Sequence, residues 1–334
     1  MTRILTAFLM LAAVAAHAAD LPTLASGRDP RLVVVTHGGV GSPAEWSPDC
    51  RAAAVAGLAA AGSALDAACA AVIHLEDICR FNAGTGANVR LDGRTVQMDA
   101  AVMTSDGVFA AVAAIERVTN PVLVAREVLS TPHRLLVGDG ATRFAHVRGF
   151  ADVVPLCDEA VARYRQRLAS LLEGHAGGGY DSFDWRAAWN YPTPAPALGA
   201  DPPGAPSPPR RGGAGDTVGA VVRDEAGRFA VALSTGGTGL TLYGRVGDVP
   251  IYGCGCYAGP AGAVACTGHG EEIIRRAMAR LVYERMEAGA SARDAVREAC
   301  AGFDEAWSLG LVAVGRDDWA AAANREMAWG QAAR

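Results

Sequence analysis

The pattern of apolar and polar positions in the first half of the chain predicts alternating strands and helices. Residues 31–36 form a β-branched apolar run that leads into the glycine loop His37-Gly38-Gly39, as expected for a buried strand. Residues 51–75 are alanine-rich with helical spacing, and Gly62 marks a break within them. The same criteria predict strands at 88–91, 95–101 and 107–112 and helices at 120–129 and 157–172.

A second series of predicted elements follows a long segment rich in glycine and proline, residues 174–216. The composition of this segment predicts a disordered linker, which is unusual inside a compact domain. Strands are predicted at 217–222, 229–234, 250–256, 263–266 and 311–314, and helices at 271–288 and 290–303. Strands that cluster in two halves and alternate with helices favour a layered α/β architecture.

The N-terminal residues have the pattern of a secretory signal peptide. Arg3 precedes an apolar run at 4–16, and Ala16-His17-Ala18 supplies a small-residue cleavage site. The run is too short to span a bilayer. We predict a signal peptide at 1–18, and the alternative is a disordered apolar N-terminus of a cytosolic protein. The rest of the 334-residue chain is long enough for one large α/β domain or two small ones.

The composition excludes several kinds of chemistry. Every basic residue is an arginine, because the chain contains no lysine, so a P-loop lysine, a Schiff-base lysine and a Ser-Lys dyad are excluded. The net charge is −5 without a basic patch, so we expect neither a nucleic-acid partner nor, once the signal peptide is removed, a membrane. Abundant alanine and arginine suggest a GC-rich bacterial genome, and an exported protein would then be periplasmic.

The cysteines and histidines carry no clear site signal. Eight cysteines in an exported protein permit disulfides, but their spacings fit neither a small-domain disulfide framework nor a zinc pattern, so we favour buried thiols and leave disulfides as the alternative. His37 and His269 lie in glycine loops. We interpret both histidines as structural rather than as catalytic bases.

The sequence Gly215-Asp216-Thr217-Val218 places a threonine at the start of a strand directly after the predicted linker. This placement is explained if the chain is cut between Asp216 and Thr217, so that Thr217 becomes a new N-terminus. A terminal threonine carries a hydroxyl nucleophile and, in its own α-amine, a base that titrates near ~7.7–8.0. We therefore predict a cleavage site at Asp216–Thr217 and a nucleophile at Thr217.

Three polar clusters in the second half lie in loops next to predicted strands. They are Ser234-Thr235-Gly236-Gly237, Gly244-Arg245-Val246-Gly247-Asp248 and Thr267-Gly268-His269-Gly270-Glu271. An arginine fork can bind an α-carboxylate at two points, and an aspartate can bind an α-ammonium. A glycine turn at a helix N-terminus offers N–H groups to an oxyanion. Together the clusters predict a site for a small zwitterion beside an acyl carbon.

Each cluster alone also has a simpler interpretation. Arg245 and Asp248 could form a surface ion pair, Thr267 could belong to a plain helix cap, and Thr235 could bond to the backbone at a strand end. The prediction therefore depends on all three clusters following one threonine at the end of a linker.

The order of these motifs resembles that of the threonine-type isoaspartyl peptidase and plant-type L-asparaginase family of N-terminal-nucleophile hydrolases. Glycosylasparaginase and threonine aspartase are related to this family. The resemblance covers nearly all of the chain after the signal peptide. It extends over His37-Gly38-Gly39, residues 62–67, 75–77, 81–86 and 216–221, and the three polar clusters.

The resemblance implies an α+β fold, a four-layer αββα sandwich of the N-terminal-nucleophile type. Residues 19–216 would form an α subunit that includes the linker, and residues 217–334 would form a β subunit that begins at the nucleophile. Both would build one domain, and two such heterodimers would associate. A structural sodium ion would bind to backbone carbonyls in one loop, and no other cofactor is expected. The carbonyls belong to Leu75, Glu76, Ile78, Phe81, Ala83 and Thr85.

The resemblance also implies roles for the clustered residues. Thr217 would be the nucleophile of self-cleavage and of catalysis, and Thr235 would tune it. Thr267 and Gly268 would form the oxyanion hole, supported by Asn82. The substrate-binding residues would be Arg245, Val246, Gly247, Asp248, Thr267, Gly268, His269 and Gly270.

The implied activity is hydrolysis of isoaspartyl (β-aspartyl) dipeptides and L-asparagine through a β-aspartyl ester of Thr217. Leu240 and Thr241 stand where the family often has Asn-Lys beside the leaving group, which leaves the choice between peptide and asparagine open. The Asp216–Thr217 site is similar to those of glycosylasparaginase and threonine aspartase, which stay as alternatives together with a non-catalytic binding protein. Asp248 argues against an endopeptidase, and the segment 81–84 argues against a glycosylasparaginase.

Overall fold

The computed structural model describes residues 23–28, 31–60, 62–174, 183–195 and 217–334. The predicted signal peptide and Asp216 of the predicted cleavage site lie outside the described residues. None of the described helices is both long and apolar enough to cross a membrane.

Twelve strands and eight α-helices lie within the described part of the chain. The strands are β1 (Thr23–Gly27), β2 (Val33–Val40), β3 (Met98–Thr104), β4 (Phe109–Ile115), β5 (Leu135–Val137), β6 (Val218–Arg223), β7 (Phe229–Thr235), β8 (Cys256–Gly259), β9 (Gly262–Gly268), β10 (Leu309–Gly315), β11 (Trp319–Ala323) and β12 (Met327–Ala333). The helices are α1 (Ser47–Ala59), α2 (Ala64–Glu76), α3 (Pro121–Val128), α4 (Gly138–Val147), α5 (Asp158–Leu172), α6 (Gly270–Arg276), α7 (Met278–Glu287) and α8 (Ala292–Ala301).

The strands form two sheets in a mixed α+β structure. A seven-stranded sheet has the order β12-β2-β6-β7-β3-β4-β5, and a five-stranded sheet has the order β1-β11-β10-β9-β8. The paired strands are antiparallel except β4 and β5, which are parallel. In the seven-stranded sheet, β6 pairs with β2 and β7 pairs with β3. Strands from both sides of the segment 174–216 therefore complete one sheet.

The seven-stranded sheet is apolar on both faces, and alternate residues of β2 enter different cores. Val33 and Val35 belong to a cluster with residues of the five-stranded sheet and of α7 and α8. Val34 belongs to a second cluster with residues of α1, α2 and α3. Side chains alternate between the faces of a strand, so an uninterrupted valine run serves both cores. Small residues let the helices lie close: a Cβ on Gly57 of α1 would be 2.8 Å from the Ala67 carbonyl of α2.

The helix predicted at 271–288 is divided at Ala277. This residue has φ 47°, which separates α6 from α7. The N–H groups of Ala279 and Arg280 donate to the carbonyls of Cys254 and Gly253 at 3.1 and 2.9 Å. The loop that supplies these carbonyls was predicted as a strand at 250–256, but only Cys256 of that range belongs to a strand. The break therefore follows from a tertiary contact.

Several other elements differ from the predictions. The segment 88–91 is irregular rather than a strand, because the Arg90 N–H bonds back to the Thr95 carbonyl in a local turn at 2.8 Å. The predicted strands 95–101 and 107–112 correspond to β3 and β4 with shifted ends. Five elements were missed because they are short or lack clear periodicity, namely β1, β5, α4, β11 and β12.

Part of the predicted linker is packed against the domain, so the prediction of disorder throughout 174–216 is wrong for residues 183–195. Trp185 and Tyr191 form a buried cluster with Leu91 and Leu240. Aromatic side chains bury a large apolar area, which explains how a proline-rich segment can be held in place. The remaining parts of the linker, residues 175–182 and 196–216, lie outside the described residues.

A disulfide joins Cys79 to Cys157, so the interpretation of all eight cysteines as thiols is wrong for this pair. Cys157 caps the N-terminus of α5, and Cys79 lies in the loop after α2. The bond therefore ties α5 to a loop far from it in sequence. The other cysteines are buried thiols, as predicted: Cys50, Cys69, Cys254, Cys256, Cys266 and Cys300.

We predict that the double substitution Cys79→Ser, Cys157→Ser lowers the free energy of unfolding by about 2–4 kcal/mol. The reason is that the bond spans 78 positions of sequence and so restricts the unfolded chain. Urea unfolding of the oxidised protein and of the variant measures the difference. Dithiothreitol should lower the stability of the natural protein only, and a natural protein that is insensitive to it would contradict the prediction.

Candidate active site

Thr217 directly precedes β6, an interior strand of the seven-stranded sheet, and is 3 % exposed. The antiparallel register pairs Val218 with Ser234, which places Thr217 opposite Thr235 on β7. The register between β7 and β3 pairs Thr235 with Asp99. Three neighbouring strands thus bring two threonines and an aspartate together where the strands begin or end.

His37 lies on the other side of β6 and is completely buried. Its partner in the register is Gly219, and a Cβ on that glycine would collide with the imidazole ring. Burial lowers the pKa of His37 to about 3, against a smaller opposing effect of the Thr217 backbone. The ring is therefore neutral at physiological pH, which supports a structural role for this histidine.

Hydrogen bonds from two asparagines fix the loop after β7. Thr235 Oγ1 accepts a hydrogen bond from the Gly237 N–H at 2.9 Å. The side-chain amides of Asn82 and Asn88 both donate to the Gly237 carbonyl, at 2.7 and 2.8 Å. Asn82 also accepts from Gly236 and Asn88 N–H groups at 2.9 Å each. Asn82 therefore fixes the position of the loop that carries Thr235.

The third cluster lies at the end of β9 in the other sheet. Thr267 is buried, and its Oγ1 accepts from the Val40 N–H of β2 at 3.2 Å, so it bridges the two sheets. Gly268 has φ 141°, and a Cβ there would collide with the Ser308 carbonyl, so only glycine fits. His269 stacks on Trp307 with ring centroids 4.1 Å apart. The stacking supports the interpretation of His269 as a structural residue.

Arg245 and Asp248 converge on the start of α6, as the zwitterion site requires. A Cβ on Gly270 would lie 2.8 Å from Arg245 Nη2 and 3.1 Å from Asp248 Oδ1, so both side chains meet above this glycine. The Arg245 guanidinium donates to Glu271 through Nε and Nη2, at 3.0 and 2.9 Å. Burial lowers the pKa of Arg245, but Glu271 and the charges of Asp248 and Asp99 outweigh burial and raise it overall.

The Glu271 carboxylate occupies the arginine fork in the manner expected of a substrate carboxylate. Its side chain is nearly half exposed, whereas that of Arg245 is 15 % exposed. A bound α-carboxylate would compete with Glu271 for the same donors. Val246 and Gly247 continue the loop, with Val246 partly buried and Gly247 buried.

Two buried ionisable residues near the site, Asp99 and Arg90, were missed by the sequence analysis. Asp99 accepts from the N–H groups of Ala114 and Gly247, at 2.8 and 3.5 Å. Burial raises its pKa, against the opposing effects of the Ala114 hydrogen bond and of Arg90. Arg90 is fully buried and donates to the carbonyls of Thr238 and Gln97 at 3.0 and 2.9 Å. The sequence signal that could have revealed Asp99 is an acidic residue inside an otherwise apolar strand.

In the loop 75–85, where a sodium ion is predicted, two backbone carbonyls pack against glycines. A Cβ on Gly84 would lie 2.6 Å from the Glu76 carbonyl oxygen, and one on Gly86 would collide with that of Phe81. Glycine lets these carbonyls pack closely against the loop backbone, and carbonyl oxygens are ligands that hard cations accept. The carbonyls of Leu75, Ile78 and Ala83 also accept one hydrogen bond each from N–H groups of the same loop. The donor set fits such an ion.

The same loop is anchored by α5. Arg163 donates to the carbonyls of Cys79, Arg80 and Gly86. Among the described residues, the one cluster of side chains with metal-ligand spacing is Cys79, Cys157 and Glu159. The disulfide removes both thiolates from that cluster, so it is a structural anchor and not a metal centre.

Comparison with known proteins indicates the family of the chain. A family model described as "Asparaginase" matches residues 47–333. The chain is 37 % identical over 236 residues to a plant-type L-asparaginase of Pyrococcus horikoshii, covering 70 % of each protein. It is 42 % identical over 236 residues to an isoaspartyl peptidase of Salmonella typhimurium, covering 70 % of this chain and 67 % of the relative.

A vertebrate relative gives a longer match. The chain is 37 % identical over 279 residues to an isoaspartyl peptidase/L-asparaginase of Danio rerio, covering 79 % of this chain and 78 % of the relative. The chain is therefore a hydrolase. The chain is a member of the asparaginase family, which confirms the resemblance inferred from its motifs.

We predict that acid destabilises the natural protein more than a His37→Gln variant. The unfolded histidine titrates near ~6.5 and the folded one at about 3, so the unfolded state binds more protons as the pH falls between these values. Stability contributed by the neutral ring is present above pH ~6.5 and is lost below it, by about 2–3 kcal/mol at pH ~4.5.

Urea unfolding of both proteins at two pH values tests this pH dependence. The loss of stability between neutral pH and pH ~4.5 should be larger for the natural protein. Equal losses in the two proteins would show that the buried His37 ring does not control this range.

Proposed function

We propose that this chain is an amidohydrolase that cuts itself before Thr217 and then hydrolyses β-aspartyl dipeptides and L-asparagine. The observation that carries the proposal is the convergence of Arg245 and Asp248 above Gly270, in a domain whose sheet register sets Thr217 opposite Thr235. The first pair would bind the α-carboxylate and α-amine of an aspartyl group. The second pair would supply the nucleophile and its neighbouring hydroxyl. The relatives named isoaspartyl peptidase and L-asparaginase support this substrate class.

Self-cleavage would begin with attack of Thr217 Oγ on the Asp216 carbonyl carbon. The bond from that carbon to the Thr217 nitrogen breaks, the nitrogen gains the proton, and an ester forms. Water then cleaves the ester, which gives an Asp216 carboxylate and restores the Thr217 hydroxyl beside the α-amine that the first step set free. This amine titrates near ~7.7–8.0, so it can act as a base at neutral pH.

The mature Thr217 would attack the β-carbonyl of a substrate whose α-groups are held by Arg245 and Asp248. The oxyanion would form near Thr267 and Gly268, where we expect donors for it. The amine or ammonia leaves with a proton, and a β-aspartyl ester of Thr217 forms. Water cleaves this ester, which releases aspartate. The burial of Thr217, Thr235 and Thr267 supports the exclusion of bulk water from these steps.

The family also suggests how the protein is built, and the N-terminal sequence suggests where it works. We propose a four-layer αββα sandwich, supported by one cluster between the sheets that extends to α7 and α8 and a second between the seven-stranded sheet and α1–α3. Residues 19–216 and 217–334 would be its two subunits, paired in a dimer of heterodimers. A sodium ion would bind at the carbonyls of the 75–85 loop and hold its shape. The N-terminal sequence supports export to a periplasm.

We predict that incubation of the purified protein yields two fragments that meet between Asp216 and Thr217. Thr217→Ala removes the hydroxyl and should leave one uncut chain without hydrolase activity. Mass spectrometry of the denatured protein gives the fragment masses, and assays with β-Asp-Leu and L-asparagine give the activity. An uncut natural chain after long incubation would contradict this mechanism and favour a binding protein of the same fold.

We predict that Arg245→Lys raises the KM for β-Asp-Leu at least about 10-fold, because lysine cannot form the two parallel hydrogen bonds of the arginine fork. Self-cleavage should persist, since it needs no substrate carboxylate. Arg275→Lys is the matched control, because Arg275 pairs with Glu272 on the exposed face of α6. Steady-state kinetics of the three cleaved proteins measures the effect, and an unchanged KM in Arg245→Lys would exclude this arginine from carboxylate binding.

A further inference from the structure

A cavity of about 350 Å³ opens beside Arg245 and Glu271. Its walls are mainly apolar and aromatic: Phe183 and Trp185 come from the docked segment 183–195, and Leu240, Leu242 and Tyr243 come from the loop after β7. The volume lies within the range of small-molecule sites, which is roughly 300–1,000 Å³. Apolar walls with a few polar groups at one end are typical of such sites.

The two walls are bonded to each other. The Asn190 side chain exchanges a pair of hydrogen bonds with the Tyr243 backbone, both 2.9 Å long. The Tyr191 hydroxyl donates to the Thr241 carbonyl and accepts from the Leu91 N–H. The segment 183–195 is therefore fixed to the loop, and the cavity between them has a defined shape.

The aromatic rings differ in exposure in a way that suits a binding cavity. Trp185 is 7 % exposed and contacts Phe183 edge to face, with ring centroids 4.7 Å apart. Phe183 itself is 43 % exposed. An exposed phenylalanine braced by a buried tryptophan offers an apolar surface that a ligand can cover.

The cavity and the candidate active site share Arg245. The same guanidinium that meets Asp248 above Gly270 forms part of the cavity wall. An aspartyl group held by Arg245 and Asp248 would lie next to this cavity, so the rest of a dipeptide substrate could extend into it. The group released by hydrolysis would then lie against the apolar walls.

We infer that this cavity is the leaving-group subsite and that it selects β-aspartyl dipeptides whose second residue is large and apolar, above all aromatic. The inference rests on the proposed function and names its substrate class. Hydrolysis breaks the bond between the β-carbonyl carbon and the amine nitrogen of that residue; the nitrogen takes a proton, and water supplies the hydroxyl to the aspartyl product. The specificity-determining residues are Phe183, Trp185, Leu240, Leu242 and Tyr243.

The chemistry of the walls separates the competing leaving groups. A phenylalanine side chain would be removed from water, which favours its binding and that of the transition state. Ammonia or glycine has no side chain to bury. A sugar would lose hydrogen bonds to water that apolar walls cannot replace. The expected preference for β-Asp-Phe over β-Asp-Gly is about 10–100-fold in kcat/KM.

The test compares kcat/KM of the self-cleaved protein for β-Asp-Phe, β-Asp-Leu, β-Asp-Gly, L-asparagine and a glycosylated asparagine. Phe183→Ala and Leu242→Ala should each reduce the ratio of β-Asp-Phe to β-Asp-Gly at least about 3-fold. Leu156→Ala is the matched control, because Leu156 is exposed outside the cavity, and it should leave the ratio unchanged.

The outcomes are distinguishable. The subsite is supported if the protein prefers β-Asp-Phe to β-Asp-Gly as predicted, if both cavity variants lose this preference, and if the control variant keeps it. Equal turnover of β-Asp-Phe and β-Asp-Gly, a preference for the glycosylated compound, or a ratio unaffected by both cavity variants would overturn it while the proposed function stands. Failure to hydrolyse any β-aspartyl compound would overturn the proposed function and the subsite with it.

Discussion

The register between β6 and β7 is the constraint on which the candidate site depends. It pairs Val218 with Ser234 and so sets Thr217 opposite Thr235. Both strands are buried on both faces, and their neighbours β2 and β3 come from the other half of the chain. A slip of one residue would turn every side chain of β6 to the opposite core, so packing on both faces fixes the register. The position of Thr217 is therefore set by the whole sheet.

The site is also an arrangement of charges held at the junction of the two sheets. Arg90 and Asp99 are fully buried in the seven-stranded sheet and its loop, and Arg245 lies close enough to influence both. Buried charges are stable only when they are hydrogen-bonded and compensated. Arg90 bonds to two carbonyls, and Asp99 accepts from two N–H groups. This network positions the loop that carries Arg245 and Asp248.

The surroundings of the site are held by bonds that join distant parts of the chain. Helix α5 is tied to the 77–86 loop by the Cys79–Cys157 disulfide and by Arg163. The same helix contributes Leu168 and Leu171 to the aromatic cluster of the docked segment. Helix α5 therefore anchors both the loop that carries Asn82 and the segment 183–195 that forms one wall of the cavity. This shared support links the Thr217 side of the candidate site to the apolar cavity beside Arg245.

The sequence by itself located the three polar clusters and the strands before Thr235 and Thr267, because glycine loops and β-branched runs constrain the local backbone, and it predicted a nucleophile at Thr217. It also determined the family. It could not find Arg90 in a segment that resembles a strand, the break at Ala277, or the pairing of Cys79 with Cys157, since each depends on groups distant in sequence. Composition predicted disorder for residues 183–195, whereas aromatic burial holds them in place. Only the tertiary structure brought that segment to the loop after β7, because a cavity is defined by both of its walls.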